Sequence, residues 1–179
     1  MTGERPEPSD LELAALGRVR LLVCDVDGTL TDGAMFYGED GEELKRFHTR
    51  DGHGIGLLQG EGVVVAFVTA ERSPIVTARA AKLGVQHVVL GCADKAAAVR
   101  RLASGLGLTR EAVAMIGDDL GDLGGFDEAA VRVAVGDAVP AVKARADYVC
   151  RAAGGHGAVR ELADMLLAVR QRARADHDA

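Results

Sequence analysis

Between Leu21 and Leu30 the chain reads L-L-V-C-D-V-D-G-T-L: an apolar run leads into two aspartates spaced by one, and a Gly-Thr pair ends it. An apolar run without alternation fits a strand covered on both faces. Such a strand cannot carry Asp25 and Asp27 in its interior, because an unpaired buried carboxylate costs too much. The two aspartates therefore belong at its C-terminal mouth, the edge where open α/β sheets place ligands.

Further segments repeat this pattern. G-V-V-V-A-F-V-T ends a second buried strand at Thr69, and A-V-A-M-I-G-D-D ends a fourth at Asp118. His87 to Leu90 and Val131 to Val135 read as the third and fifth strands, and Asp147 to Cys150 as an edge strand. Helical stretches lie between them: about Asp51 to Gly60, a helix capped by Ser73 and closed by Gly84, one opened by Lys95, and a short one from Val139 to Ala144. A final helix runs from about Gly157 to Arg170 and buries Val159, Leu162, Leu166 and Val169. Strands alternating with helices predict an α/β fold: a doubly wound, mainly parallel, Rossmann-like sheet in three layers. Ala34 to Tyr37 and Leu44 to His48 flank a Gly-Glu-Asp-Gly-Glu turn and predict a projecting β-hairpin. Its Met35, Tyr37, Leu44 and Phe47 leave apolar surface, for which another subunit is a natural cover.

One domain is expected over residues 10–171, with a polar, Pro-rich and disordered tail over 1–9 and a second tail over 172–179. At 179 residues the chain can bury one core, and with six aromatics and no Trp that core must be Val, Leu, Ala and Ile. A net charge of −6 without a dense Lys/Arg cluster argues against nonspecific nucleic-acid binding. No apolar run reaches the length of a membrane span and no signal peptide is evident, so a soluble cytoplasmic protein is expected. Cys24, Cys92 and Cys150 have no metal spacing and read as reduced packing residues.

In a parallel sheet all strand C-termini share one edge, so Asp25, Asp27, Thr69, Lys95, Asp118, Asp119 and Asp122 converge from distant positions. Their types suit phosphoryl transfer, which needs an in-line nucleophile, a cation and a proton donor for the leaving oxygen. Asp25 is the expected nucleophile, forming an aspartyl-phosphate. Asp27 is the expected general acid, then base. Mg²⁺ fits a hard, oxygen-only site made of the Asp25 side chain, the Asp27 carbonyl and Asp118. Thr69 bonds phosphate oxygens, Lys95 adds fixed positive charge, and Gly28 lets backbone amides approach the phosphate. A lone D-x-D would be no more than two solvated turn aspartates; the register with Thr69, Lys95 and Asp118 argues otherwise. Asp119 can serve merely to orient its loop, while Asp122 is placed to steady Lys95 or the metal shell.

D-V-D-G-T, a Thr after the second strand, a downstream Lys and G-D-D-L-G-D, in this order, resemble the haloacid dehalogenase superfamily of phosphatases over about residues 19 to 170. The 45 or so residues from the first motif to Thr69 hold a hairpin and a helix, leaving no room for a cap domain. The resemblance is thus to the capless members, which work as tetramers in which one subunit closes another's site. G-E-E-L-K, R-D-G-H-G-I and G-G-H-G-A-V-R-E resemble the 3-deoxy-manno-octulosonate 8-phosphate phosphatases and their nonulosonate 9-phosphate relatives. The resemblance implies a phosphorylated 2-keto-3-deoxy sugar acid as substrate, a tetramer-forming hairpin, substrate contact by Arg50, and a loop at the site mouth.

Ala70-Glu71-Arg72 stands where octulosonate enzymes typically have Gly-Arg, and Glu71 resembles the nonulosonate type. The G-A-M-F-Y hairpin leans the same way, whereas Arg50-Asp51-Gly52 leans back; His156 replaces an Arg usual in the octulosonate loop. Ala70 and Glu71 join Arg50 and Gly28 as candidate substrate contacts. Two other functions compete: a phospho-receiver domain, which also gathers acids, a Thr and a Lys, and a noncatalytic oligomerisation domain of sugar-nucleotide metabolism. The receiver lacks its lone Asp after the third strand here, and every residue the chemistry needs is present.

Overall fold

The computed structural model describes residues 10–177. Eight strands, β1 (Leu21–Cys24), β2 (Phe36–Gly38), β3 (Gly41–Leu44), β4 (Val64–Val68), β5 (His87–Val89), β6 (Val113–Gly117), β7 (Val131–Ala134) and β8 (Tyr148–Val149), alternate with seven helices. The helices are α1 (Asp10–Arg18), α2 (Thr49–Gly60), α3 (Pro74–Leu83), α4 (Lys95–Gly105), α5 (Leu123–Asp127), α6 (Pro140–Lys143) and α7 (Ala158–His177).

Six strands form one sheet in the order β5-β4-β1-β6-β7-β8, with every pairing parallel. β1 lies at the centre with all four residues buried, as its unbroken apolar run requires. α2 packs on α7, which also meets α1, while α4 packs on α5. The chain steps one way from β1 through β4 to β5 and the other way from β6 through β7 to β8, so the topological switch point falls between β1 and β6. The core is Val, Leu, Ala and Ile with Phe67, Phe126 and Met115.

β2 and β3 form a separate antiparallel hairpin, anchored at its base by the Thr31–Phe47 bridge. Between β1 and β4 stand only this hairpin and α2, so there is no cap domain. The hairpin strands lie nearer the turn than expected, because the Gly38 and Gly41 ends pair directly across it and the Lys45–His48 stretch leaves the ladder to enter the site and start α2. Met35, Phe36, Tyr37 and Leu44 are exposed.

α7 continues to His177, past the expected stop near Arg170, so residues 172–177 are helical rather than a tail. Its apolar stripe ends at Val169, but Arg, Gln and Ala keep helix propensity high and Arg174 pairs with Glu61 of the chain after α2. The expected tail over 1–9 lies outside the described residues. Among the described residues no helix is long and apolar enough to cross a membrane.

Candidate active site

β1 and β6 are neighbours in register, Cys24 opposite Ile116, so the residues that follow them emerge side by side. Asp25 is 5 % exposed, and its Oδ1 accepts from Lys95 Nζ at 2.5 Å. Lys95 reaches it from the first residue of α4 and donates also to Asp122 Oδ1 at 2.6 Å. Asp122 turns its other oxygen to the backbone amides of Asp118 and Asp119, at 2.9 and 3.1 Å. This residue therefore steadies both the lysine and the loop. Asp119 is exposed and caps the one-turn helix 120–122, so its carboxylate orients the loop.

Asp118 is held by Thr29, whose hydroxyl donates to Oδ1 at 2.9 Å. Gly28, at φ +91°, lies so close that a Cβ would collide with the Asp118 carboxylate. Only glycine satisfies both the backbone and the approach. From the far side Gly154 packs on the Gly28 carbonyl, again closer than any Cβ permits, and Gly155 N–H donates to Thr29 O at 2.9 Å. The 154–157 loop thus forms one wall of the mouth. Asp51, from α2, keeps this loop in place by accepting from Arg160 N–H at the start of α7 at 2.8 Å.

Asp27, two residues past Asp25, is gripped from two sides. Thr69 Oγ1 donates to its Oδ2 at 2.9 Å and Lys45 Nζ to its Oδ1 at 2.6 Å. Thr69 is expected to meet phosphate oxygens; its hydroxyl here donates to Asp27 while accepting from Glu71 N–H. Burial works against the charge of Lys45, but Asp27 and Glu42 outweigh it and hold the ammonium above its ordinary range.

Asp25, Asp118 and Asp122 each offer an oxygen within 4.8 Å of the others. Three carboxylates against one ammonium leave an excess of two negative charges. Burial, then repulsion from Asp122, pushes the Asp25 carboxyl well above its ordinary range despite Lys95. Burial pushes Asp118 up to about 6, with Asp122 adding to it and the Thr29 hydroxyl opposing. An oxygen-only cluster that resists ionising is what a hard divalent cation relieves, so the residues fit Mg²⁺. Because both oxygens of Asp122 are already engaged, the free ligand capacity lies on Asp25 and Asp118. The Asp27 side chain turns instead to Lys45 and Thr69.

Arg50, Ala70 and Glu71 are exposed, the first at the start of α2 and the others just past Thr69. Among the described residues no hydrogen bond or ion pair links the Arg50 side chain to the aspartate cluster. Ser73 holds the N-cap position of α3 but makes no capping bond; its hydroxyl donates to Glu42 Oε2 at 2.6 Å. Lys45 and Thr29 are the residues that sequence reasoning missed. Lys45 lies inside the G-E-E-L-K motif, which pointed only to assembly, and a lysine flanked by the hairpin's apolar Leu44 was its one signal.

A buried aspartate at the switch point, a lysine from a helix start and an acidic loop after β6 define a haloacid dehalogenase-like hydrolase, and residues 83–162 match that family. The chain is similar to the 3-deoxy-D-manno-octulosonate 8-phosphate phosphatase KdsC of Escherichia coli (strain K12), 44% identical over 155 residues that span 87% of this chain and 82% of the relative. It belongs, within those hydrolases, to the 3-deoxy-D-manno-octulosonate 8-phosphate phosphatase family. The structure of the Yersinia pestis phosphatase of this name superposes with a TM-score of 0.88 at 41% identity, covering 92% of this chain and 89% of that one. That of the Moraxella catarrhalis enzyme, in complex with a magnesium ion, a phosphate ion and a KDO molecule, gives 0.87 at 34% identity, covering 93% and 95%. Membership in a phosphatase family sets aside the receiver domain.

Proposed function

We propose that this phosphatase hydrolyses 3-deoxy-D-manno-octulosonate 8-phosphate with Mg²⁺, through an aspartyl-phosphate on Asp25. The observation that carries the reading is the separately held pair at the site: Asp25 fixed by Lys95, and Asp27 fixed by Thr69 and Lys45. Likeness to a family whose Moraxella catarrhalis member holds magnesium, phosphate and KDO supports the substrate and the metal.

Asp25 attacks phosphorus as the bond to the leaving alkoxide breaks, and Asp27 delivers a proton to that oxygen. Asp27 then takes a proton from water as it attacks the aspartyl-phosphate, and inorganic phosphate leaves with Asp25 restored. Lys95 keeps the Asp25 oxygen aimed and offsets charge on the phosphoryl group. Mg²⁺, when bound by Asp25, Asp118 and the Asp27 carbonyl, neutralises phosphate charge. Ala70, Glu71 and the Gly28 turn border the phosphate position.

The exposed hairpin supports assembly into a tetramer in which one subunit closes another's site, and Arg50 meets the sugar acid. A cytoplasmic location accords with this chemistry. Glu71 favours a second substrate, a nonulosonate 9-phosphate, because a carboxylate beside the mouth discriminates between sugar-acid tails. Phosphate release measured with both esters decides: turnover of the octulosonate ester, lost in Asp25→Asn, is the expected result. Retained turnover in Asp25→Asn rejects the nucleophile, and faster hydrolysis of the nonulosonate ester rejects the substrate.

A further inference from the structure

Lys45 is the buried cation that the aspartyl-phosphate chemistry does not by itself account for. Its side chain is 1 % exposed, yet it stands on a hairpin whose neighbouring Leu44 is 61 % exposed. A hairpin is marginal alone, and burying an ammonium adds a desolvation cost rather than stability. That cost is met by two carboxylates. Lys45 Nζ lies 2.6 Å from Asp27 Oδ1 and 2.5 Å from Glu42 Oε1. Glu42 is tied in turn to the buried Ser73 at the head of α3, and that hydroxyl has left its helix-capping position to make the bond.

Asp27 is therefore held at both oxygens, by Thr69 from the sheet and by Lys45 from the hairpin. Thr69 alone leaves the carboxyl free to swing about one hydrogen bond; the second contact sets its plane. Lys95, itself held by Asp122, donates to Asp25 through bonds that involve neither Lys45 nor Thr69. The nucleophile and the proton carrier are thus fixed by different parts of the chain.

We propose that Lys45 is a positioning residue for Asp27, aiming its carboxyl at the leaving-group oxygen and making proton transfer depend on the seating of the hairpin. This rests on the reading of Asp27 as the acid. Loss of Lys45 then weakens the step that protonates the leaving group and spares attack by Asp25. Binding of the ester is unchanged, because losing a contact made only in the transition state, here that of the Asp27 proton with the leaving oxygen, lowers kcat and kcat/KM together.

The test compares octulosonate 8-phosphate, an alkyl ester whose leaving oxygen needs a proton, with p-nitrophenyl phosphate, whose phenolate departs without one. For Lys45→Met, kcat on the alkyl ester falls roughly 10- to 100-fold, a part of the span general acid catalysis commands. KM and the pre-steady-state burst of nitrophenolate stay within about 3-fold, since neither draws on that acid. Lys45→Arg, which can still donate to Asp27, restores most of the loss. Glu42→Gln, outside the aspartate cluster, shows the same bias in weaker form and carries the test if Lys45→Met does not fold. Equal losses on both esters in the burst phase, which precedes the water attack common to both, overturn the proposal, as does a raised KM with kcat intact or an Lys45→Arg no better than Lys45→Met. In that same burst phase Asp27→Asn must show the leaving-group bias at full strength. If it does not, the acid assignment fails, independently of Lys45.

Discussion

A carboxylate's environment decides its work, and Asp51 shows this away from the chemistry. It is 1 % exposed; one oxygen accepts from the start of α7 while Oδ2 makes no bond that meets full hydrogen-bond geometry among the described residues. Burial raises its carboxyl above the ordinary range, although the Arg160 amide, the neighbouring His48, the Gly157 amide and Arg79 all oppose the rise. A folded-state value above the unfolded one means that the ionised form costs stability at neutral pH. That cost disappears as pH falls through the raised value, because the protonated acid no longer buries a charge. Asp51→Asn is neutral at every pH and nearly isosteric. The stability of the wild type relative to Asp51→Asn should therefore rise as pH is lowered from 7 toward the ordinary carboxylate range, about 4, by urea denaturation of both proteins. A relative stability that falls over this window would show that the buried carboxylate is stabilised by its ionised form.

At the scale of elements, the hairpin concentrates what a single chain leaves unfinished. Phe36, Tyr37 and Leu44 are 48 %, 64 % and 61 % exposed, on an element too small to be stable alone. Covering that face with another subunit would remove apolar area from water. Light scattering should give a tetramer for the wild type and smaller species for Leu44→Asp, whose charge cannot be buried across such a contact. A wild-type monomer would leave the hairpin's apolar face unexplained. The same element marks the boundary of what sequence could show. β1, β4 and β6 were legible because strands buried on both faces are unbroken apolar runs, and their mouths located Asp25, Thr69 and Asp118. The hairpin register was not, since exposed residues around a Gly-rich turn carry no burial pattern to fix it. Lys45 on Asp27 and Thr29 on Asp118 stayed hidden because contacts across 18 and 89 positions have no spacing signature. The end of α7 was missed because charged helix formers carry the helix past its apolar stripe.

For the molecule as a whole, the site is a strain the fold carries until a cation arrives. Asp25, Asp118 and Asp122 crowd their oxygens within 4.8 Å, with Lys95 as the single ammonium bonded among them. Burial and mutual repulsion push Asp25 and Asp118 upward, which destabilises the ionised folded state near neutral pH. A ligand that binds the folded chain and not the unfolded one stabilises it by mass action, about 2.7 kcal/mol at a concentration 100 times its Kd. Mg²⁺ should therefore raise the melting temperature of the EDTA-treated protein by several degrees, given about 2–4 °C per kcal/mol for a domain of this size. The same titration should restore phosphate release. Asp118→Asn removes both a ligand and part of the repulsion, so it should melt higher than the wild type in EDTA and gain little from Mg²⁺. Calorimetry or thermal-shift measurement separates the two effects without turnover. A variant that melts lower in EDTA and still responds fully to Mg²⁺ would move the metal away from Asp118 and break the link between the acidic cluster and the cation.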